Sequence, residues 1–165
     1  MSGKRIATLC QALGMTVLVS GRKNETVAGE GRVPFAEVIQ RATVLMLSVP
    51  LTEESRNLID TAELATMRED AVIVNIARGG IVNERALIAA LGKGQIYGYG
   101  SDVFEKEPAG GSNESGLLSD EAKKLNLVLS PHLAWFGQST MVNVKKMVKL
   151  NVDNFVKGVE FNVVG

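Results

Sequence analysis

The chain has 165 residues, 45% of them hydrophobic, which suits one folded domain with its own core. Eighteen basic side chains balance eighteen acidic ones, so no net charge would recruit nucleic acid or an anionic membrane. The single cysteine, Cys10, excludes an internal disulfide and a cysteine-based zinc site, and we expect no metal. The sequence shows neither a signal peptide nor a spanning segment, and we expect a cytoplasmic protein.

The first half of the chain alternates helical and extended patterns. Apolar residues spaced three or four apart predict a helix over residues 3–13, which Gly14 ends. Residues 17–19 predict a short strand, and a polar loop follows through residue 31. We then predict a helix over residues 35–42, a strand over residues 44–49 stopped by Pro50, and a helix over residues 61–67.

The second half continues the alternation. β-branched residues predict a buried strand over residues 72–75, and residues 82–92 predict a helix with Asn83 as its N-cap. The next predicted strand, residues 96–103, contains Gly98 and Gly100. Glycines inside a strand suggest that another group approaches its backbone closely. We then predict a flexible loop over residues 109–116, a strand over residues 127–129 and a long helix over residues 138–156.

Apolar strands separated by helices indicate the fold class. Five near-continuous apolar runs predict a parallel sheet covered on both faces, which is a doubly wound, Rossmann-like α/β fold. A dinucleotide-binding fold normally starts with a strand and a glycine-rich turn, whereas this chain opens on a helix. We therefore expect that the fold lacks its first strand and most of the glycine-rich turn.

Three polar residues each follow the end of a predicted strand. Arg78, Glu107 and His132 come after the strands at residues 72, 96 and 127, so parallel strands would gather them at one edge. An imidazole beside a carboxylate forms a general acid/base pair, and a guanidinium binds two carboxylate oxygens at once. This set fits proton transfer to the carbonyl of a 2-oxo acid. As alternatives, Arg78 is a surface residue in a tight turn and His132 is only a turn residue.

Three segments in this order resemble the D-isomer-specific 2-hydroxyacid dehydrogenase family, which includes glycerate, hydroxypyruvate and glyoxylate reductases. VIVNIARGGIVNERAL resembles the segment with the catalytic arginine, which is Arg78 here. GYGSDVFEKEP resembles the segment whose Asp102 would bind the nicotinamide carboxamide and whose Glu107 would orient the histidine. LSPHLAW resembles the segment with the catalytic histidine, here His132. The resemblance runs along essentially the whole chain.

The resemblance also implies a cofactor site. Gly3 stands where the family has the last glycine of its GxGxxG turn, and SVPLT resembles the loop beside the nicotinamide ribose. Glu105 competes with Glu107 for the orienting role, although the family pattern favours Glu107. Trp135 either packs over the site or belongs to the core. The cofactor contacts implied are Gly3, Ser20, Gly21, Arg22, Lys23, Val49, Pro50, Ile76, Ala77, Arg78, Asp102, His132 and Trp135.

The end of the predicted second strand bears on cofactor choice. NAD-binding folds place an acidic residue there for the adenosine ribose, and this chain has Gly21 followed by Arg22 and Lys23. Cations without a carboxylate suit a 2′-phosphate, so we expect NADP(H) to be preferred, with NAD(H) as the alternative. The other interpretation is that Arg22 and Lys23 are a solvated pair in a loop.

The function implied by the resemblance is hydride transfer between NAD(P)H and a small 2-oxo or 2-hydroxy acid. We expect residues 1–165 to be a truncated dinucleotide-binding domain, about half of an enzyme. Residues from about 150 to 165 would cross back toward an absent substrate domain. A homodimer is a family expectation. The alternatives are a non-catalytic nucleotide-binding or scaffold module and a nonfunctional fragment.

Overall fold

A computed structural model describes residues 2–25 and 27–162 of the protein. The chain divides into two compact units, a first unit of residues 1–131 and a second unit of residues 132–165. That residues 1–165 form one truncated nucleotide-binding domain stays a prediction.

Over residues 35–101, the first unit alternates helices with short strands, as its sequence predicts. Its order is α1 (Ser2–Ala12), α2 (Phe35–Arg41), β1 (Val44–Leu47), α3 (Thr61–Thr66), β2 (Val72–Asn75), α4 (Glu84–Gly92), β3 (Gly98–Ser101) and β4 (Leu127–Leu129). Two 3₁₀ turns, Gly116–Leu118 and Ala122–Lys124, lie between β3 and β4.

One parallel sheet organises the first unit. Its strand order is β1-β2-β3-β4, so the chain moves in one direction across the sheet. Ile73 at the middle of β2 and Leu87 on α4 are fully buried. Burying an aliphatic side chain of this size contributes about 1.5–3 kcal/mol. The core therefore lies where α4 and its neighbours cover the central strands, which is the Rossmann-like arrangement expected from the sequence.

Local capping explains where two helices begin. Asp60 caps α3 by accepting the N–H of Thr61, while the Glu63 side chain accepts the Asp60 N–H at 3.1 Å to complete a capping box. Asn83 caps α4, its Oδ1 accepting the N–H of Ala86 at 3.2 Å. The predicted N-cap at Asn83 is confirmed.

The predicted strand over residues 17–19 is wrong, since the sheet described here has four strands. Ser20 instead makes an isolated bridge with Val33. An apolar run becomes a strand only when another strand supplies a ladder of hydrogen bonds. Here a single residue pairs with the segment: the Val33 carbonyl accepts the Gly21 N–H, and the Val33 N–H donates to the Val19 carbonyl. The strands predicted over residues 44–49 and 96–103 are shorter, because pairing is limited to the four positions that have partners.

The second unit consists mainly of α5 (Gln138–Val156). Its bounds match the helix predicted over residues 138–156. No residue of α5 is buried among those that the structure describes. Within residues 2–25 and 27–162, no helix is both long and apolar enough to cross a membrane.

Candidate active site

The register of the sheet aligns the ends of its strands. Leu47 pairs with Asn75, Asn75 with Ser101, and Ser101 with Leu129. Neighbouring strands lie about 4.8 Å apart, so the residues that follow them form a row along the carboxyl edge of the sheet. Val49 and Pro50 follow β1 in this row, Ile76 and Ala77 follow β2, and Asp102 follows β3.

Asn75 shapes the turn that carries Arg78. Its side chain is 1% exposed, its Oδ1 accepts the N–H of Ala77 at 3.1 Å, and its Nδ2 donates to the carbonyl of Arg78 at 2.9 Å. Both polar atoms of a buried amide are thereby satisfied within one tight turn. The turn leaves Arg78 exposed, with its Nη1 donating to the Ala77 carbonyl at 2.7 Å.

Gly79 brings the turn after β2 against the loop after β3. A Cβ atom built at Gly79 would lie 1.8 Å from the carbonyl oxygen of Phe104, so only glycine permits this backbone contact. In the second loop, Oε1 of Glu107 accepts the N–H of Phe104 at 2.9 Å, and the Glu107–Pro108 peptide bond is cis. The backbone segments that carry Arg78 and Glu107 are therefore in direct contact.

Glu84, at the start of α4, also binds the loop after β3. It is 6% exposed, and its two carboxylate oxygens accept the N–H of Glu105 at 3.0 Å and the hydroxyl of Ser115 at 2.6 Å. These bonds compensate the desolvation of a buried carboxylate. The backbone of Glu105 is thus tied to α4, while its side chain lines an open cleft of about 430 Å³ with Arg85 and Glu121.

Asp102 is a buried carboxylate at the centre of the row. It is 5% exposed, its N–H donates to the Asn75 carbonyl at 3.1 Å, and its Oδ1 accepts the hydroxyl of Ser130. In β3, the strand before Asp102, Tyr99 donates to the hydroxyl of Ser101 at 3.2 Å. Burial raises the pKa of the Tyr99 hydroxyl above its ordinary value of 10.0, which keeps this group neutral.

The residues predicted to bind the adenosine end of the cofactor lie in α1 and in the loop after residue 19. A Cβ atom at Gly3 would stand 3.0 Å from Oγ of Ser48, so the first turn of α1 approaches the end of β1 closely. The Lys23 ammonium is held by polar contacts within the chain. Its Nζ lies 2.8 Å from Oε1 of Glu63 and donates to the carbonyl of Leu58 at 3.2 Å. Arg22 is exposed in the adjacent loop.

His132 and Trp135 belong to the second unit. His132 is half-buried with a φ of 54°, and the other three described non-glycine residues with positive φ are asparagines, which tolerate this conformation better. Such backbone outliers are enriched at functional sites. Trp135 is 49% exposed and packs edge-to-face on Phe136 at 5.4 Å between ring centroids. The pairing of His132 with Glu107 stays a prediction.

A sequence profile described as "D-isomer specific 2-hydroxyacid dehydrogenase, NAD binding domain" matches residues 2–134. The chain belongs to this family. Glycerate dehydrogenase of Methylorubrum extorquens is 38% identical over 162 residues, covering 98% of this chain and 49% of the relative. Glyoxylate reductase of Thermococcus litoralis is 32% identical over 161 residues, covering 94% and 46%.

Solved structures agree with this membership. The NAD-complexed D-isomer-specific 2-hydroxyacid dehydrogenase of Lactobacillus delbrueckii ssp. bulgaricus superposes with a TM-score of 0.81 at 25% identity, covering 97% of this chain and 52% of that one. The chain thus spans about half the length of the relatives it matches. The suspected family and the Rossmann-like fold are confirmed.

The residues at the carboxyl edge fit a nicotinamide nucleotide. Asp102 is a buried carboxylate whose oxygens accept hydrogen bonds, and Gly3 lacks the Cβ atom that would crowd Oγ of Ser48 at the start of α1. None of the described residues forms a group of three or more His, Cys, Asp or Glu arranged for a metal ion.

Sequence reasoning assigned no role in the site to Asn75, Glu84 and Ser130. Only Asn75 had a usable signal, because an Asx residue at a strand end often braces a turn.

Proposed function

We propose that this chain forms the nucleotide-binding half of an oxidoreductase that transfers hydride between NAD(P)H and a small 2-oxo or 2-hydroxy acid. The observation that carries the proposal is the row at the carboxyl edge, where Asn75 braces the Arg78 turn and its carbonyl accepts the N–H of the buried Asp102. This arrangement lies within residues 2–134, the segment that matches the family.

Each residue has a distinct role in the proposal. Arg78 binds the substrate carboxylate through its donor fork, and the Asn75 brace fixes the start of its side chain. His132 donates a proton to the developing alkoxide, and Glu107 orients the imidazole. Asp102 accepts a hydrogen bond from the carboxamide of the nicotinamide. The bound nucleotide supplies the hydride.

Preference for NADP(H) is also part of the proposal. A Cβ atom at Gly21 would lie 3.3 Å from Cβ of Ala28 and 3.6 Å from the carbonyl oxygen of Val33. A carboxylate for the ribose hydroxyls therefore has little room at this position, and the exposed Arg22 beside it favours a phosphate. A homodimer and a cytoplasmic location stay predictions.

The decisive test uses the longest natural form of the protein with glyoxylate and hydroxypyruvate as substrates. His132→Ala should lower kcat about 10²–10⁴-fold, which is the usual worth of a general acid, while nucleotide binding is retained. The control Asn113→Ala, at an exposed position of the loop over residues 109–116, should change neither quantity. Undiminished reduction by His132→Ala would overturn the role assigned to His132.

A non-catalytic nucleotide-binding module is the second candidate. The observation that favours it is coverage, because the chain spans about half the length of its relatives and matches their nucleotide-binding part. Under this candidate the natural protein binds NADPH, yet reduces no 2-oxo acid. Turnover that depends on Arg78 and His132 would exclude it.

A further inference from the structure

Arg32 stands beside the end of the extended segment that leads to Gly21. Its Nη1 donates to the carbonyl of Ser20 at 2.7 Å. The backbone brings the two segments together, because Ser20 and Val33 form a bridge and the N–H of Gly21 donates to the Val33 carbonyl at 2.8 Å. The guanidinium is thus anchored next to Gly21, although Arg32 is remote from it in sequence.

The Lys23 side chain is held by other partners. Its ammonium is paired with Glu63, donates to the Leu58 carbonyl and lies 5.9 Å from the centre of the Phe35 ring. Moving Lys23 to a phosphate would break the ion pair and leave the Glu63 carboxylate, whose side chain is only 12% exposed, without this cation. Of the two cations after Gly21, Lys23 therefore stabilises the fold and Arg22 faces solvent.

We propose that Arg32, together with Arg22, binds the adenosine 2′-phosphate of NADP(H), and that Lys23 does not. This inference rests on the proposed function, which requires that the protein bind a nicotinamide nucleotide. A guanidinium carries five N–H donors in a planar fork, so donation to one carbonyl leaves capacity for a bidentate contact with a phosphate. The anchor at Ser20 fixes the fork before the ligand arrives, which lowers the entropic cost of binding.

Glu25 supplies the competing arrangement. Its Oε2 accepts the backbone N–H of Arg22 at 3.3 Å, so a carboxylate also lies in this loop. If Glu25 received the ribose hydroxyls, the site would favour NADH and the charge of Arg32 would not matter for selectivity. The two arrangements predict opposite effects of removing Arg32.

The experiment compares three glutamine variants of the protein in its longest natural form. Dissociation constants for NADPH and NADH are measured by fluorescence titration, and 2′,5′-ADP is titrated against 5′-AMP by calorimetry. Arg32→Gln should weaken NADPH and 2′,5′-ADP about tenfold or more, with NADH and 5′-AMP unchanged within twofold. Lys23→Gln should leave the ratio of NADPH to NADH affinity unchanged and lower the thermal midpoint instead.

Arg41→Gln is the matched control for loss of one positive charge. Arg41 is an exposed arginine of α2 that is paired with Glu37, and its variant should change neither the affinity ratio nor the thermal midpoint appreciably. Arg32→Lys keeps the charge without the fork and should give an intermediate loss. Thermal melts of each variant establish that it is folded.

The outcomes separate the inference from the proposed function. Equal effects of Arg32→Gln on NADPH and NADH, or a selective effect of Lys23→Gln, would overturn the assignment of Arg32 while nucleotide binding stands. If the unsubstituted protein bound neither nucleotide, the proposed function and this inference would fail together.

Discussion

The buried Asn75 makes hydrogen bonds with both its side chain and its backbone carbonyl. Its side chain braces the Arg78 turn and its backbone carbonyl accepts the N–H of Asp102, so it connects the ends of β2 and β3. The sequence places Asn75 only at a strand end. Its partners depend on the path of the turn that follows, which hydrophobic periodicity does not encode.

Asn75→Ala should destabilise the protein. The substitution leaves the Ala77 N–H and the Arg78 carbonyl without their side-chain partner, which costs about 1–3 kcal/mol of unfolding free energy when such groups are buried. Urea unfolding monitored by circular dichroism measures the loss. The control is Asn113→Ala at an exposed position of the loop over residues 109–116, where a change within about 0.5 kcal/mol is expected. Equal stabilities of the two variants would contradict a bracing role.

Gly79→Ala should be more damaging than any other glycine-to-alanine change near the row. The added methyl would meet the Phe104 carbonyl oxygen at 1.8 Å, and both partners of the collision are backbone. We expect an insoluble protein or a loss of more than about 4 kcal/mol, at the extreme of single substitutions.

Gly92 provides the matched control for Gly79. It is the last residue of α4, and a Cβ atom there meets nothing within 4 Å. Gly92→Ala should therefore stabilise the protein by about 0.4–1 kcal/mol, because alanine restricts the unfolded chain. Thermal melts measure whether Gly79→Ala lowers the melting temperature and Gly92→Ala raises it. A Gly79→Ala protein as stable as the unsubstituted one would refute the close contact.

At the scale of elements, α3 is fixed by its cap. Asp60 accepts the N–H of Thr61 and the Nδ2 of Asn83 at 3.1 Å, so the cap also ties α3 to the start of α4. The hydrogen bond from the Thr61 backbone holds the pKa of the Asp60 carboxyl below its ordinary value of 3.8. A lowered folded pKa means that the ionised form stabilises the native state.

The pH dependence of this cap follows from the sign of the shift. Its stabilisation is fully present above the ordinary carboxyl pKa of 3.8 and is lost as the pH falls through the lower folded value. Asp60→Ala should cost about 0.5–2 kcal/mol at pH 7. Asp60→Asn keeps a capping side chain, so it should lose less at pH 7 and show a smaller loss of stability on acidification. Urea unfolding at pH 7 and pH 3 tests both variants. If Asp60→Asn and the unsubstituted protein lost the same stability between these pH values, the ionised Asp60 carboxylate would not be stabilising the native state.

The loop over residues 109–116 shows how much of a loop's structure local composition can predict. Its glycine and serine content predicts a flexible surface loop, and Gly110 and Asn113 are indeed exposed. Ser115 is nevertheless 3% exposed and donates to Glu84. This anchor joins distant segments, so composition alone does not reveal it.

At the scale of the whole molecule, burial is uneven. Ile73 in β2 is fully buried and Tyr99 in β3 is 3% exposed, whereas α5 contributes no buried residue among those described. Local opening requires less free energy where few apolar contacts are broken. The central strands should therefore be the most stable part of the protein.

Hydrogen exchange followed by mass spectrometry tests this distribution. Amides of β2 and β3 should exchange slowest, near the rate set by global unfolding, and amides of α5 should exchange much faster. Backbone amides of β4, at the edge of the sheet, provide the internal reference. Protection of α5 equal to that of β2 would show that another surface covers this helix.

The sequence by itself determined the order of helices and strands from residue 35 onward, the cap at Asn83 and the family. These features depend on periodicity, capping and short motifs, which are local in the chain. Tertiary structure alone decided that residues 17–19 form no sheet strand, that Lys23 pairs with Glu63 and that Arg32 reaches Ser20. It also decided that Gly79 meets Phe104. Each of these depends on a partner elsewhere in the chain, and the free energy of such a contact is set only when folding brings the two segments together.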